Sequence, residues 1–137
     1  MAGYKHIERS VGTYIAGHYR HPVEIGIGNN TEAAVVIHAA GIPVTCTDIK
    51  TVAPPAGVTF VRDDIFSPDI AIYSGADVLY SIRPAGEMIP PMIDLARALC
   101  CDLIVYHLGF ESFGDGGEII DCGIVLHRYY KGERTRS

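Results

Sequence analysis

Apolar positions along the chain follow two periods, and the change from one to the other marks the elements. From Tyr4 to Tyr19 they fall at Tyr4, Ile7, Val11, Tyr14, Ile15 and Tyr19, the three-or-four spacing of an amphipathic helix. Gly12 and Gly17 weaken that helix, and His21-Pro22 ends it, because a residue before proline avoids helical angles. Val23–Gly26 then reads as a short strand, Gly26–Asn30 as a turn, and Thr31–Ala40 as an alanine-rich helix closed by Gly41 in a left-handed cap. Asn29, three residues before Glu32, has the spacing of a capping box. Val44–Thr47, β-branched or small and followed by Asp48, is a second buried strand. Strand, turn, helix and strand make a βαβ unit, which requires parallel strands and a crossover.

Beyond Asp48 the helical period fades. Only ten residues, 48–57, separate the second strand from the third at Val58–Val61, and Pro54-Pro55 leaves no room there for a helix. The segment Ser67–Gly75, before a fourth strand at Val78–Ile82, is equally short, so loops or single turns are expected in both places. Periodicity returns in Glu87–Cys100, where Pro90-Pro91 suits a first turn and Met92, Ile93, Leu95, Ala96 and Leu99 form an apolar face. Leu103–His107 is a fifth strand, 109–117 a glycine-rich loop, and Glu118–Tyr130 a bent strand or strand pair around Gly123. The pattern predicts one α/β domain over 1–137, a Rossmann-like three-layer sandwich with a mostly parallel sheet and some crossover helices missing. Residues 1–20 hold its N-terminal helix, and 128–137 are expected as a basic tail.

Composition narrows the setting. With 48% hydrophobic and 20% charged residues, the chain has enough apolar surface for a packed core. It has no apolar run long enough to span a bilayer and no secretory signal layout at Met1–Ser10, so a cytoplasmic protein is expected. Cys46, Cys100, Cys101 and Cys122 lack C-x-x-C spacing and read as reduced, mostly buried thiols. The net charge of −5 is uneven, since 128–137 carries Arg128, Lys131, Arg134 and Arg136 against Glu133 alone. An acidic body repels phosphate backbones, so nucleic-acid binding is not expected outside this tail, where Tyr129 and Tyr130 stand beside the charges.

Candidate chemistry concentrates at the first turn. Gly26 and Gly28 let the backbone turn sharply and a ligand come close, and the following helix presents free N–H groups. Asp48, twenty positions after Gly28, lies where a ribose hydroxyl pair would be held, so an adenosine-type cofactor is expected. A dinucleotide fingerprint needs glycine at position 31, which is Thr31, and Glu24 just before the turn suits a cationic ligand better than a pyrophosphate. Glu24, Gly26 and Gly28 match the acid-x-G-x-G pattern, and here the sequence resembles motif I of class I S-adenosylmethionine-dependent methyltransferases.

That resemblance implies that Asp48 holds the cofactor ribose. It implies that the segment 63–66 meets the adenine, with Asp64 at its amino group and Ile65 on its face. Asn30 stands where many members carry a third glycine, a tolerable change because asparagine accepts left-handed angles. The fourth-strand run Tyr80-Ser81-Ile82-Arg83-Pro84 lacks the Pro-Pro-aromatic pattern of amino methyltransferases, and the C-terminus is short for a closing hairpin plus substrate lid. The same run and the short chain resemble a small, functionally uncharacterised archaeal family with methyltransferase-like fold.

Tyr80, Ser81 and Arg83 are the substrate-binding candidates. Packing is the competing role for Tyr80, as for Tyr73, and an ion pair with Glu87 is the competing role for Arg83. The histidines have no metal-ligand spacing, and no metal is expected. His107, near the crevice, has the pKa class of a general base, but no catalytic residue is assigned. The resemblance implies a domain that binds S-adenosylmethionine or S-adenosylhomocysteine, a minimal methyltransferase whose acceptor would reach it through a homodimer or another protein partner. The alternatives are a non-catalytic binding or regulatory protein and a minimal NAD-binding domain.

Overall fold

The computed structural model describes residues 3–109 and 111–133, with side chains from His6 onward. Three α-helices, α1 (Gly3–His18), α2 (Glu32–Ala39) and α3 (Ile89–Leu99), flank seven strands. These are β1 (Pro22–Ile25), β2 (Thr45–Asp48), β3 (Thr59–Arg62), β4 (Val78–Ile82), β5 (Asp102–Tyr106), β6 (Glu118–Asp121) and β7 (Val125–Tyr130). They form one sheet in the order β3-β2-β1-β4-β5-β7-β6. β1 to β5 are parallel, and β7 runs antiparallel to both β5 and β6. The order reverses between β1 and β4, so a crevice opens at their carboxyl ends.

Strand alternation divides the core into two layers. Val78, Tyr80, Cys46, Ile104 and Leu126 pack toward α1 and α2. Val23, Ile25, Leu79, Leu103 and Val105 pack toward α3, with Met92, Leu95 and Leu99 opposite. Gly12 sits where α1 crosses α2 in the first layer. A Cβ there would stand 2.7 Å from the carbonyl oxygen of Ala33, so its absence is what lets α1 lie against α2. The apolar stripe of α1 is as expected at Val11 and Ile15, continuing to Tyr19 just beyond the helix, all three buried; the side chain of Tyr4 lies outside the described ones.

Two local expectations are corrected and one is met. Thr31, not Asn29, caps α2, and it does so without a side-chain hydrogen bond; the Glu32 carboxylate accepts instead from Arg9 Nε at 3.1 Å, tying α2 to α1. The strand pair expected around Gly123 is found as a hairpin, β6 and β7, closed by a turn at Gly123 with φ +96°. The segment from residue 128 therefore begins as strand. Arg128 pairs with Glu118 at 2.7 Å and with the buried Asp102 at 3.4 Å, while Arg134 and Arg136 lie outside the described residues. Asp102 also accepts from the Tyr19 hydroxyl at 2.6 Å and the Gly132 N–H at 2.8 Å, which offsets the cost of burying it.

The crossovers from β2 to β3 and from β3 to β4 hold no α-helix. The second contains one 3-10 turn, Ile70–Tyr73, started by the Asp69 carboxylate accepting from the Ala71 N–H. Cys46 and Cys101 are buried and Cys100 and Cys122 exposed, so the reading of mostly buried thiols holds for half of them. No helix among the described residues is long and apolar enough to cross a membrane.

Candidate functional site

The turn after β1 is pinned to the tip of β2. Gly26 and Ile27 both donate their N–H to the Thr47 carbonyl, at 2.9 and 3.2 Å, and the Gly28 N–H donates to Asp48 Oδ2 at 2.8 Å. Lys50 N–H donates to the other carboxylate oxygen at 2.9 Å. Gly26 has φ +75° and Gly28 φ +54°, angles that side chains disfavour. A Cβ on Gly26 would also meet Met88 Cε at 3.3 Å, whereas one on Gly28 would meet nothing.

Beside this turn lies a cleft of about 250 Å³ on the α3 side of the switch point. Ile25, Gly26 and Ser81 line its floor, and Asp48, Asp63 and Asp64 stand along its β2–β3 side. Ile65, Phe66 and Met88 give it an apolar wall, and Arg83 closes the β4 side. Ile65 is buried, whereas Phe66 is 58% exposed, because no crossover helix covers it. Asp63 accepts from the Tyr73 hydroxyl at 2.6 Å and the Asp69 N–H at 3.2 Å, so it clasps the 63–73 segment; burial and that carboxylate raise the Tyr73 pKa. Asp64 accepts from the Phe66 N–H at 3.0 Å.

The cleft brings together Gly26, Asp48, Asp64, Ile65, Ser81 and Arg83 from the sequence candidates. Gly28 shapes the turn without lining the cleft, and Asn30 sits behind it with its N–H on the Ile27 carbonyl at 3.0 Å. Glu24 and Tyr80 are corrections, since both face the other side of the sheet. One step along a strand reverses the face, so Glu24 and Tyr80 enter the α1–α2 layer while Ile25 and Ser81 face the cleft. There the Tyr80 hydroxyl donates to Glu24 Oε1 at 2.8 Å. Burial pushes the Glu24 carboxyl up to about 8, a shift moderated by that hydrogen bond and increased by Glu8. At neutral pH this group is largely protonated and offers no charge to a cationic ligand. Burial likewise raises the neighbouring Cys46 thiol, which suits a structural role.

Arg83 has φ +54°, and its N–H donates to the Tyr106 carbonyl at 2.7 Å. Its guanidinium forms an ion pair with Glu8 of α1, not with Glu87. Glu8 was not among the sequence candidates, although it falls in the buried stripe with Val11 and Ile15, where a carboxylate is out of place. Met88 was also missed because it lies in a 3-10 turn, Gly86–Met88, rather than on a periodic face. His107 does not line the cleft. Its Nε2 lies 2.6 Å from the Tyr129 hydroxyl, which accepts from the Phe113 N–H at 2.8 Å, and burial followed by nearby His127 lowers its pKa. No group of three or more potential metal ligands occurs among the described residues.

Comparison with known proteins places this geometry. The model of an uncharacterised protein family, UPF0146, matches residues 10–115. A UPF0146 protein of Pyrococcus horikoshii is 38% identical over 112 residues, covering 78% of this chain and 86% of that protein. One from Archaeoglobus fulgidus is 34% identical over 96 residues, covering 69% and 74%. Among solved structures, the fold is similar to the putative methyltransferase yhhF of Escherichia coli, with TM-score 0.56, 8% identity and coverage of 90% and 82%. It is also similar to an S-adenosylmethionine-dependent methyltransferase of Mesorhizobium loti, with TM-score 0.53, 14% identity and coverage of 90% and 74%. The CcbJ methyltransferase of Streptomyces caelestis matches at TM-score 0.52 and 15% identity, over 72% of this chain and only 50% of its own length. The expected fold and the expected small archaeal family are both found.

Proposed function

The chain belongs to the uncharacterised protein family UPF0146, and we propose that it binds S-adenosylmethionine or S-adenosylhomocysteine in the cleft between Gly26 and Arg83. One observation carries this reading. The Gly26–Gly28 turn is locked onto Asp48 beside a wall of Ile65 and Phe66, so a carboxylate and an apolar face converge on one opening at the switch point.

The residues fit such a ligand. Each Asp48 oxygen takes one backbone N–H, and a carboxylate has about four lone-pair sites, so capacity remains for two ribose hydroxyls. The Asp64 carboxylate and the Ile65 side chain offer an acceptor for an adenine amino group and a face for its ring. The bound cofactor would supply an electrophilic methyl group on a sulfonium. What the protein's residues provide is position, because holding the nucleophile in line accounts for much of such a barrier.

A non-catalytic binding role is a second reading. It is favoured by the absence, among the described residues, of a histidine in the cleft lining and by the ties of Asp63 to Tyr73 and Asp69. No acceptor is needed on that reading, whereas on the methyltransferase reading it would arrive with a second copy or another protein. Titration calorimetry with S-adenosylmethionine, S-adenosylhomocysteine and NAD tests the binding reading. Saturable heat is expected for the first two, weakened in Asp48→Ala; heat from NAD alone would replace the reading with a dinucleotide site. Transfer of a labelled methyl group to cell extract separates enzyme from binding protein.

A further inference from the structure

The donors at the glycine turn and on the cleft floor are engaged within the protein. A glycine turn between a strand and a helix is the usual cradle for a phosphate, because its N–H groups are free to face one. Here the Gly26 and Ile27 N–H groups both donate to the Thr47 carbonyl, and the Gly28 N–H donates to Asp48. Ser81, 1% exposed on the cleft floor, donates its hydroxyl hydrogen to the Ile25 carbonyl at 2.8 Å. Arg83 is the one basic side chain among the described residues that line the cleft; its Nη2 is paired with Glu8 on the α1 side, and its Nη1 is buried. The first turn of α2, which could also receive an anion, is not part of the lining.

Acceptors are arranged the other way. Asp48, Asp63 and Asp64 border the opening, and the one or two donors that hold each of them leave lone pairs over. Acidic groups set around a concave site with apolar walls, here Ile65, Phe66 and Met88, concentrate the field inside it and discriminate ligands by charge. We infer that the cleft selects its nucleoside by charge: it holds an adenosine derivative whose 5′ substituent is cationic, a sulfonium or an ammonium, above the neutral counterpart, and turns away a 5′-phosphate. Between the two ligands proposed above this sets an order, the sulfonium S-adenosylmethionine over the neutral thioether S-adenosylhomocysteine. The inference rests on the nucleoside reading but adds a demand which that reading does not make, that affinity follow the charge of the ligand.

Calorimetry with a series that varies only at the 5′ position tests it: 5′-amino-5′-deoxyadenosine, adenosine and AMP, with S-adenosylmethionine against S-adenosylhomocysteine as a second comparison. At neutral pH and low salt the wild-type protein is expected to bind the ammonium ligand most tightly and the phosphate least, with about tenfold or more between them. S-adenosylmethionine is expected to bind several-fold more tightly than S-adenosylhomocysteine. Raising the ionic strength to about 0.5 M should compress both differences and leave adenosine unchanged, because screening acts on charge alone. Asp63→Asn removes one formal charge from the rim and should narrow the ratio of ammonium to neutral affinity, whatever it does to adenosine itself. The salt series needs only the wild-type protein, so the test stands even if that variant folds poorly. With adenosine bound, three results each overturn the inference while leaving a nucleoside site: AMP as tight as adenosine, S-adenosylhomocysteine as tight as S-adenosylmethionine, or differences that salt does not change. Failure of every ligand, adenosine included, to bind the wild type overturns both readings.

Discussion

The two faces of the central strands handle carboxylates in opposite ways. On the cleft side, Asp48, Asp63 and Asp64 stand at strand ends and are met by backbone N–H groups or the Tyr73 hydroxyl. On the α1–α2 side, Glu24 lies within the strand, 1% exposed, and among the described residues its carboxyl meets a single hydrogen-bond donor, the Tyr80 hydroxyl. Burial without oriented dipoles or water to replace lost hydration disfavours the charged form, and it raises the Glu24 pKa. Acidic residues in this sequence therefore have their roles set by strand parity and distance from the strand end, not by proximity to the glycine turn. Ile25, one residue beyond the buried Glu24 carboxyl, already lines the candidate cleft.

The sharpest way to break this contrast is Glu24→Gln. The folded Glu24 pKa of about 8 lies above the ordinary value of 4.5, so the native state holds the proton more tightly than the unfolded chain. Its contribution is fully present below pH 4.5 and is lost as pH rises to about 8, a change on the order of several kcal/mol. Urea unfolding between pH 5.5 and 9 should give a wild-type stability that declines across this range and a Glu24→Gln profile that is flatter. A parallel decline in both proteins would place the titration elsewhere. Next in size, Asp48→Ala should weaken S-adenosylhomocysteine by about 1.5–3 kcal/mol through loss of a charged acceptor, with the fold intact by circular dichroism.

Tyr80→Phe, on the other face, should cost about 1–3 kcal/mol of stability at neutral pH by leaving Glu24 without its donor. Ligand affinity should stay at the wild-type value, and a loss of affinity matching that of Asp48→Ala would erase the distinction between the faces. The smallest effect separates the two glycines. Gly28→Ala has open space for its Cβ and should cost about 1–2 kcal/mol through its left-handed angle alone. Gly26→Ala adds the Met88 contact at the cleft floor and should lose more affinity than Gly28→Ala in the same titration.

The fold was legible because its signals are local. The βαβ unit, the short crossovers marked by Pro54-Pro55 and Pro68, and the helix beginning at Ile89-Pro90-Pro91 each follow from period, proline and glycine chemistry. The lining of the candidate cleft was legible where it is made of strand ends, as with Gly26, Asp48, Asp64 and Arg83. It was not legible where tertiary placement decides. Glu24 matched a motif by spacing, but alternation along β1 turned it into the core. Glu8 lies seventy-five residues from Arg83, and only the packing of α1 against the sheet brings them together. The capping box failed for the same reason, since Arg9 on a neighbouring helix claims Glu32.

An amide-resolved NMR titration with S-adenosylhomocysteine tests the two-face account most directly. It predicts saturable shifts at Gly26, Asp48, Asp64 to Phe66, Ser81 and Arg83, with Cys46 and Tyr80 unmoved and the midpoint moved to higher ligand concentration in Asp48→Ala. Shifts centred on Glu24, Cys46 and Tyr80, or no shifts with ligand at millimolar concentration, would contradict it.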